Sequence, residues 1–146
     1  MASLRVLIVD DFEPWRNFVC SALQKRPDLN IVEVSDGLDA VEKAPVLLPD
    51  LILLDISLPT LNGLEAARQI RALSPCSKII FFTQNHNSDV AAEAFRSGAR
   101  GFVVKSHAKE ELLAAVDAVL AGKRFLSRRL RSGASALDFD WWQAAE

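Results

Sequence analysis

Five times along this chain, a short apolar run is followed by a stretch that is apolar at helical spacing. The apolar runs are residues 4–9, 31–34, 51–54, 79–82 and 101–104. Strands are continuously apolar when helices cover both faces of a parallel sheet, and a helix is the usual crossover between parallel neighbours. The pattern therefore predicts an α/β fold with a doubly wound, five-stranded parallel sheet.

The helical stretches carry start and stop signals of their own. Pro14 stands in the first turn of the first helix, where a proline removes no intrahelical hydrogen bond. Gly98 and Gly122 stand where the fourth and fifth helices are expected to end in a left-handed cap. In the fifth helix, the pattern predicts an apolar face of Leu112, Leu113, Val116, Val119 and Leu120 and a solvated face of Lys109, Glu110, Glu111 and Asp117.

Charge and hydropathy exclude several classes of protein. With 17 Lys and Arg against 19 Asp and Glu, the net charge is −2, so the chain lacks the broad positive field of a free-standing nucleic-acid binder. The most apolar run ends at Asp50 and Asp55, well short of the roughly 20 residues of a membrane span. A signal-peptide pattern is missing, and neither the cysteines nor the histidines have zinc-site spacing. We therefore expect a cytoplasmic protein without membrane contact.

Polar side chains follow four of the five predicted strands. They are Asp10 and Asp11 after the first strand, Asp55 after the third, Thr83 after the fourth and Lys105 after the fifth. Each alone is compatible with a helix cap, a loop contact or a solvated charge. Together they line one edge of the sheet, where three carboxylates repel one another unless a cation lies among them. Oxygen ligands suit Mg²⁺, and an added lysine and hydroxyl suit phosphoryl transfer to a carboxylate.

The same positions carry a family resemblance. The acidic pair, the Asp-x-x-x-Pro-x-x-Asn-Gly turn at 55–63, Thr83 and the run 101–105 resemble the receiver domain of bacterial two-component response regulators. The resemblance covers about residues 4–126. It implies a flavodoxin-like sheet with strand order 2-1-3-4-5 and a phosphorelay module that controls transcription, phosphorylated by a sensor histidine kinase. It implies no enzymatic turnover beyond the module's own phosphorylation and autodephosphorylation.

The resemblance also implies a role for each residue of the acidic site. Asp55 would be the phosphoacceptor. Asp11, Asp55 and the backbone carbonyl of Ser57 would hold Mg²⁺ or Mn²⁺, and Asp10 would act mainly through metal-bound water. In the family this ion is needed because the transferred group adds negative charge to a site that is already acidic.

Further residues are implied to convert phosphorylation into a change of shape. Lys105 would pair with the phosphoryl group, and Thr83 would move to hydrogen-bond one of its oxygens. Phe102 would then turn inward and alter the face built by helix four, strand five and helix five. Ser57 and Asn85 would flank the attacking water and so influence the lifetime of the phosphate.

Two positions depart from the commoner receiver pattern. Phe102 replaces a tyrosine, so this ring has no hydroxyl with which to favour one rotamer. Ser106 follows the lysine where many receivers have proline, so a less rigid loop is expected there.

The C-terminal part is most similar to NarL-type receivers, which a helix-turn-helix DNA-binding domain normally follows. We expect a receiver domain at 1–126 and a linker or tail at 127–146, with DNA contact only through an effector domain outside this chain. A basic cluster spans the boundary between these two parts and is interpreted as a solvated helix end or a phosphate-binding patch; it comprises Lys123, Arg124, Arg128, Arg129 and Arg131. The tail also holds Trp141 and Trp142, which lie either in a frayed segment or docked onto this domain or a partner.

Several alternatives stay open at this point. The chain is either a switch that acts alone through protein partners or the receiver part of a longer DNA-binding regulator. A phosphatase of the haloacid-dehalogenase type would need a second carboxylate where Ser57 stands. A degenerate receiver would serve as a constitutive interaction module. A homodimer is compatible with helices one and five or helices four and five, and the sequence identifies neither the kinase nor the signal.

Overall fold

The computed structural model describes residues 3–133 and contains six parallel strands flanked by six helices. The strands are β1 (Leu4–Val9), β2 (Leu29–Val34), β3 (Leu51–Leu54), β4 (Lys78–Thr83), β5 (Gly101–Val104) and β6 (Phe125–Leu126). The helices are α1 (Glu13–Leu23), α2 (Gly37–Leu47), α3 (Gly63–Leu73), α4 (Ser88–Arg96), α5 (Ala108–Leu120) and α6 (Arg128–Gly133), with a 3₁₀ turn at Lys105–His107. The sheet order is β2-β1-β3-β4-β5-β6, so the predicted fold class and the order of its first five strands are confirmed.

The sheet contains one more strand than the five predicted. β6 pairs in parallel with β5, placing Phe125 opposite Gly101 and Leu126 opposite Phe102. Two residues are too few to produce a periodic apolar pattern, so the sequence carries no signal for this strand. Its position matters because it covers the edge of β5, which would otherwise present unpaired backbone groups.

Alternate residues of each strand supply two separate cores. On one face, the sheet packs against α2, α3 and α4; on the other, it packs against α1 and α5. β3 lies between these layers and is completely buried, which explains why its four residues are all apolar. Burying one large aliphatic side chain in this way stabilises the folded state by about 1.5–3 kcal/mol. No helix within residues 3–133 combines the length and apolar character that crossing a membrane requires.

The structure corrects one prediction about the fifth helix. The sequence pattern places Glu111 on the solvated face of α5, but this residue is only 8% exposed. Its two carboxylate oxygens accept hydrogen bonds from the Ser127 hydroxyl and the Arg128 amide. Helical periodicity cannot show this burial, because the covering segment comes from the far end of the domain. The predictions for Trp141 and Trp142 lie outside the described residues.

Candidate functional site

The carboxyl ends of β1, β3, β4 and β5 surround a cleft of about 360 Å³. Its lining residues are Asp10, Asp11, Phe12, Trp15, Asp55, Ser57, Thr83, Gln84, Asn85 and Lys105. Parallel strands end on the same side of the sheet, so residues far apart in the chain converge there. The cleft brings together every residue predicted for the site except Phe102.

The three acidic residues form a compact cluster of oxygens. Asp10, Asp11 and Asp55 each offer one carboxylate oxygen, and these oxygens all lie within 4.8 Å of one another. Asp10 and Asp55 are buried, whereas Asp11 is exposed at the mouth. A single lysine faces three carboxylates, so the cluster keeps a negative charge that a divalent cation would neutralise. The oxygen-only donor set fits a hard cation such as Mg²⁺.

Lys105 joins two of these carboxylates. Its Nζ donates to Asp10 Oδ2 at 2.6 Å and to Asp55 Oδ2 at 3.0 Å. The ammonium also lies 5.0 Å from the ring centroid of Trp15 and 5.5 Å from that of Phe82, where a cation is attracted to the aromatic face. Sequence reasoning places Trp15 only on the apolar stripe of α1. Its place beside the lysine could not be found without the packing of α1 on β4.

The environment of Asp10 differs from that of its neighbour Asp11. Burial raises the pKa of the Asp10 carboxyl above its usual value, and the hydrogen bonds from Lys105 and from the Phe12 amide oppose this rise. Both Asp10 oxygens are therefore already engaged, one by Lys105 at 2.6 Å and the other by the Phe12 N–H at 3.0 Å. Asp11 is the more accessible of the two to an incoming cation.

The Asn-Gly pair at the start of α3 is explained by a close backbone approach. Asn62 caps α3 by accepting a hydrogen bond from the Glu65 amide at 3.0 Å, and the Gly63 amide donates to the Ile56 carbonyl at 2.7 Å. A Cβ on Gly63 would lie 2.0 Å from the carbonyl oxygen of Asp55. Glycine is thus needed because the helix start presses directly against the backbone that carries Asp55.

Substituting Gly63→Ala is expected to lower the free energy of unfolding by about 3 kcal/mol, the upper end of the usual cost of overpacking, because backbone atoms cannot move aside. Urea denaturation measures the change. Gly122→Ala is the matched control: its Cβ meets nothing within 4 Å, and the cost of its positive φ of 89° is only about 1–2 kcal/mol. Equal losses in the two variants would contradict the close approach at Gly63.

A chain of hydrogen bonds connects the cleft to α4. The buried Thr83 hydroxyl accepts from the Asn85 amide at 3.2 Å, and Asn85 Oδ1 accepts from the Asn87 amide at 2.9 Å. Asn87 in turn caps α4, accepting from the amides of Asp89 and Val90. A movement of the Thr83 side chain would therefore disturb the first link to this helix.

Phe102 lies apart from the cleft in this structure. The ring is completely buried, with its centroid 6.3 Å from that of Phe81. β6 contributes to this burial, because Leu126 pairs directly with Phe102. Phe102 is expected to turn inward on activation, but its ring is already buried in the core in this structure. Its rotation stays a prediction.

Comparison with known proteins shows which family and fold this chain is similar to. A family model described as the response regulator receiver domain matches residues 6–117. The nitrate/nitrite response regulator protein NarL of Escherichia coli is 38% identical over 127 residues, which are 86% of this chain and 58% of that protein. The chain thus spans little more than half the length of this relative.

Two further proteins are similar over most of their own length. The chemotaxis protein CheY of Listeria monocytogenes is 32% identical over 114 residues, covering 78% of this chain and 96% of that protein. The crystal structure of a LuxR-family two-component response regulator from Aurantimonas matches with a TM-score of 0.84 at 33% identity. It covers 90% of this chain and 94% of the other.

Proposed function

Because the chain belongs to the response regulator receiver family, we propose that it is a phosphorylation-controlled switch in which Asp55 accepts a phosphoryl group from a histidine kinase. The observation that carries the proposal is the buried Asp55 carboxylate, which shares the ammonium of Lys105 with Asp10 beside the exposed Asp11. A carboxylate oxygen of Asp55 bonds to phosphorus while the bond from phosphorus to the donor nitrogen breaks.

The remaining side chains of the cleft, together with a bound cation, would neutralise the negative charge of the incoming phosphoryl group. Lys105 is already held in the cleft and provides one positive charge for a phosphoryl oxygen. Asp11, Asp55 and the carbonyl of Ser57 would hold Mg²⁺ or Mn²⁺, with Asp10 acting through water. When bound, this ion neutralises the charge of the phosphoryl oxygens. Asp11 is exposed whereas Asp10 is buried, which supports direct metal contact by Asp11 rather than by Asp10.

The output would come from the face formed by α4, β5 and α5. If Thr83 turns toward a phosphoryl oxygen, its hydroxyl leaves the Asn85 amide, which is the first link to the cap of α4. Ser57 and Asn85, both at the cleft, would influence the lifetime of the phosphate. The chain acts either alone through protein partners or as the receiver part of a longer regulator, which would contact DNA through another domain.

Incubation with acetyl phosphate and Mg²⁺ tests this function. We expect intact-protein mass spectrometry to show one added phosphoryl group, only when Mg²⁺ is present. Hydroxylamine should remove it, because an acyl phosphate reacts with this nucleophile and a serine or threonine phosphate does not. Folded protein that takes up no phosphoryl group would favour a constitutive interaction module instead.

Metal binding gives a separate expectation, which does not depend on phosphorylation. At a free Mg²⁺ concentration about ten times Kd, binding to the native state adds about 1.4 kcal/mol of stability. This corresponds to a rise of about 3–5 °C in Tm for a domain of this size. Asp11→Asn should remove the rise, since it removes the charge of the most accessible ligand. Glu42→Gln is the matched control and should keep the rise, because Glu42 is exposed on α2, outside the cleft. An equal Tm shift in all three proteins would contradict the assigned metal site.

A further inference from the structure

The last amide of β5 finds its acceptor in an unusual place. In the sheet, the Ser127 amide donates to the Phe102 carbonyl at 2.9 Å, which continues the pairing of β6 by one bond. β6 has already ended at Leu126, so no further carbonyl of this strand is available to the next amide of β5. The Val104 N–H instead donates to the Ser127 hydroxyl at 2.8 Å. A buried backbone amide requires such a partner, and here a side chain replaces the missing strand.

The same hydroxyl is also tied to α5. Ser127 Oγ donates to Glu111 Oε1 at 2.5 Å, and Glu111 Oε2 accepts from the Arg128 amide at 2.9 Å. Ser127 is completely buried and Glu111 nearly so. Hydrogen bonds to an ionised carboxylate are short and strong. Glu111 therefore holds the turn between β6 and α6 against the first turn of α5.

These contacts enclose the segment 105–110 between two fixed points. Val104 immediately precedes the segment and Glu111 immediately follows it, and both are bonded to the hydroxyl of Ser127. The segment begins with Lys105, whose Nζ bonds two carboxylates in the cleft. Its second residue is Ser106, so no proline ring stiffens the backbone after the lysine. The Ser127 hydroxyl supplies this restraint from outside the segment.

We propose that Ser127 and Glu111 are positioning residues for Lys105, a role that rests on the proposed function of the cleft. The functional unit then extends beyond residue 126, because the turn into α6 belongs to the support of the site. Without the hydroxyl, the end of β5 and the start of α5 lose their common anchor, and the ammonium is no longer held in place for the phosphoryl group.

The first test compares the loss of two buried hydroxyls in the full chain. Ser127→Ala should lower the maximal rate of phosphorylation by acetyl phosphate about tenfold, since small misplacements of a charged group cost rate steeply. Ser74→Ala is the matched control, because Ser74 is also buried and its hydroxyl is 2.7 Å from that of Ser77, outside the cleft. It should leave the rate unchanged. Both are measured at saturating donor and Mg²⁺, where circular dichroism shows folded protein.

A double-mutant cycle separates positioning from general destabilisation. If Ser127 acts through Lys105, Ser127→Ala should have no further effect on the rate in a Lys105→Met background. A tenfold effect that persists in that background would overturn the proposal, as would a normal rate for Ser127→Ala alone. If Ser127→Ala does not fold, Glu111→Gln carries the same expectations, since it keeps the size of the side chain but removes its charge.

Hydrogen exchange provides a readout that needs no phosphorylation. Amides of segment 105–110 should exchange faster in Ser127→Ala than in the wild type and remain unchanged in Ser74→Ala. Unchanged exchange in Ser127→Ala would overturn the positioning role. Absence of any adduct on the wild-type protein would instead refute the proposed function, and the exchange result would still decide whether Ser127 holds the segment.

Discussion

Replacing Asp55 by asparagine is expected to reduce phosphorylation by acetyl phosphate about a thousandfold or more, because the neutral amide oxygen is a poor nucleophile. The fold should survive. The introduced side chain keeps an oxygen for the Ile56 amide, from which Asp55 accepts at 2.7 Å, and one of the mutually repelling carboxylates is gone. Intact mass after incubation with the donor and Mg²⁺ measures the effect, and the thermal midpoint confirms folding.

Asp50→Asn is the matched control for this variant. Asp50 flanks β3 at its other end, where its carboxylate accepts a hydrogen bond from the Arg5 amide at 2.8 Å. It carries the same charge and stands beside the same strand, but it lies outside the cleft. This variant should be phosphorylated normally. A full-size adduct on Asp55→Asn would refute the assignment of the phosphoacceptor.

Replacing Lys105 by methionine is expected to lower the free energy of unfolding at neutral pH by about 3–5 kcal/mol, the usual cost of removing one partner from a buried ion pair. The lysine side chain is only 3% exposed, and its ammonium faces the carboxylates of Asp10 and Asp55. Methionine keeps most of the volume and its contact with Trp15. The loss would therefore report the unpaired charges rather than a cavity.

Urea denaturation with and without Mg²⁺ measures the loss of unfolding free energy in Lys105→Met. The divalent cation should restore part of the lost stability, so its stabilising effect should be larger in Lys105→Met than in the wild type. Lys109→Met provides the control: Lys109 is an exposed lysine near the start of α5, and its replacement should change stability by less than about 0.5 kcal/mol. Equal losses in the two variants would show that the Lys105 ion pairs contribute little.

The central polar residues of the site were predictable because they stand at, or next to, the end of a recognisable strand. Asp55 ends a fully buried apolar run, and Lys105 ends another, so their convergence follows from parallel topology. The geometry within the cleft was not predictable in the same way. That Lys105 joins Asp10 to Asp55 and lies against Trp15 depends on side chains from four different elements.

The need for glycine at position 63 likewise has one part that the sequence shows and one that only the packing shows. The Asn-Gly pair is recognisable as part of a family motif. Its physical reason is that a Cβ on Gly63 would lie 2.0 Å from the Asp55 carbonyl oxygen, which emerges only when α3 is placed against β3. The sequence motif shows that glycine occurs at this position, whereas the packing shows which backbone atoms a larger side chain would clash with.

Sequence alone determined the alternation of strands and helices, the parallel sheet and the edge at which the polar residues gather. These features depend on local periodicity and on strand ends, which are written directly in the order of residues. Only the tertiary structure decided that β6 covers β5, that Glu111 is buried and that Ser127 anchors both ends of segment 105–110. The two hydrogen bonds of Ser127 join residues 16 and 23 positions apart, and β6 contains only two residues. Contacts of this kind leave no periodic trace in the chain.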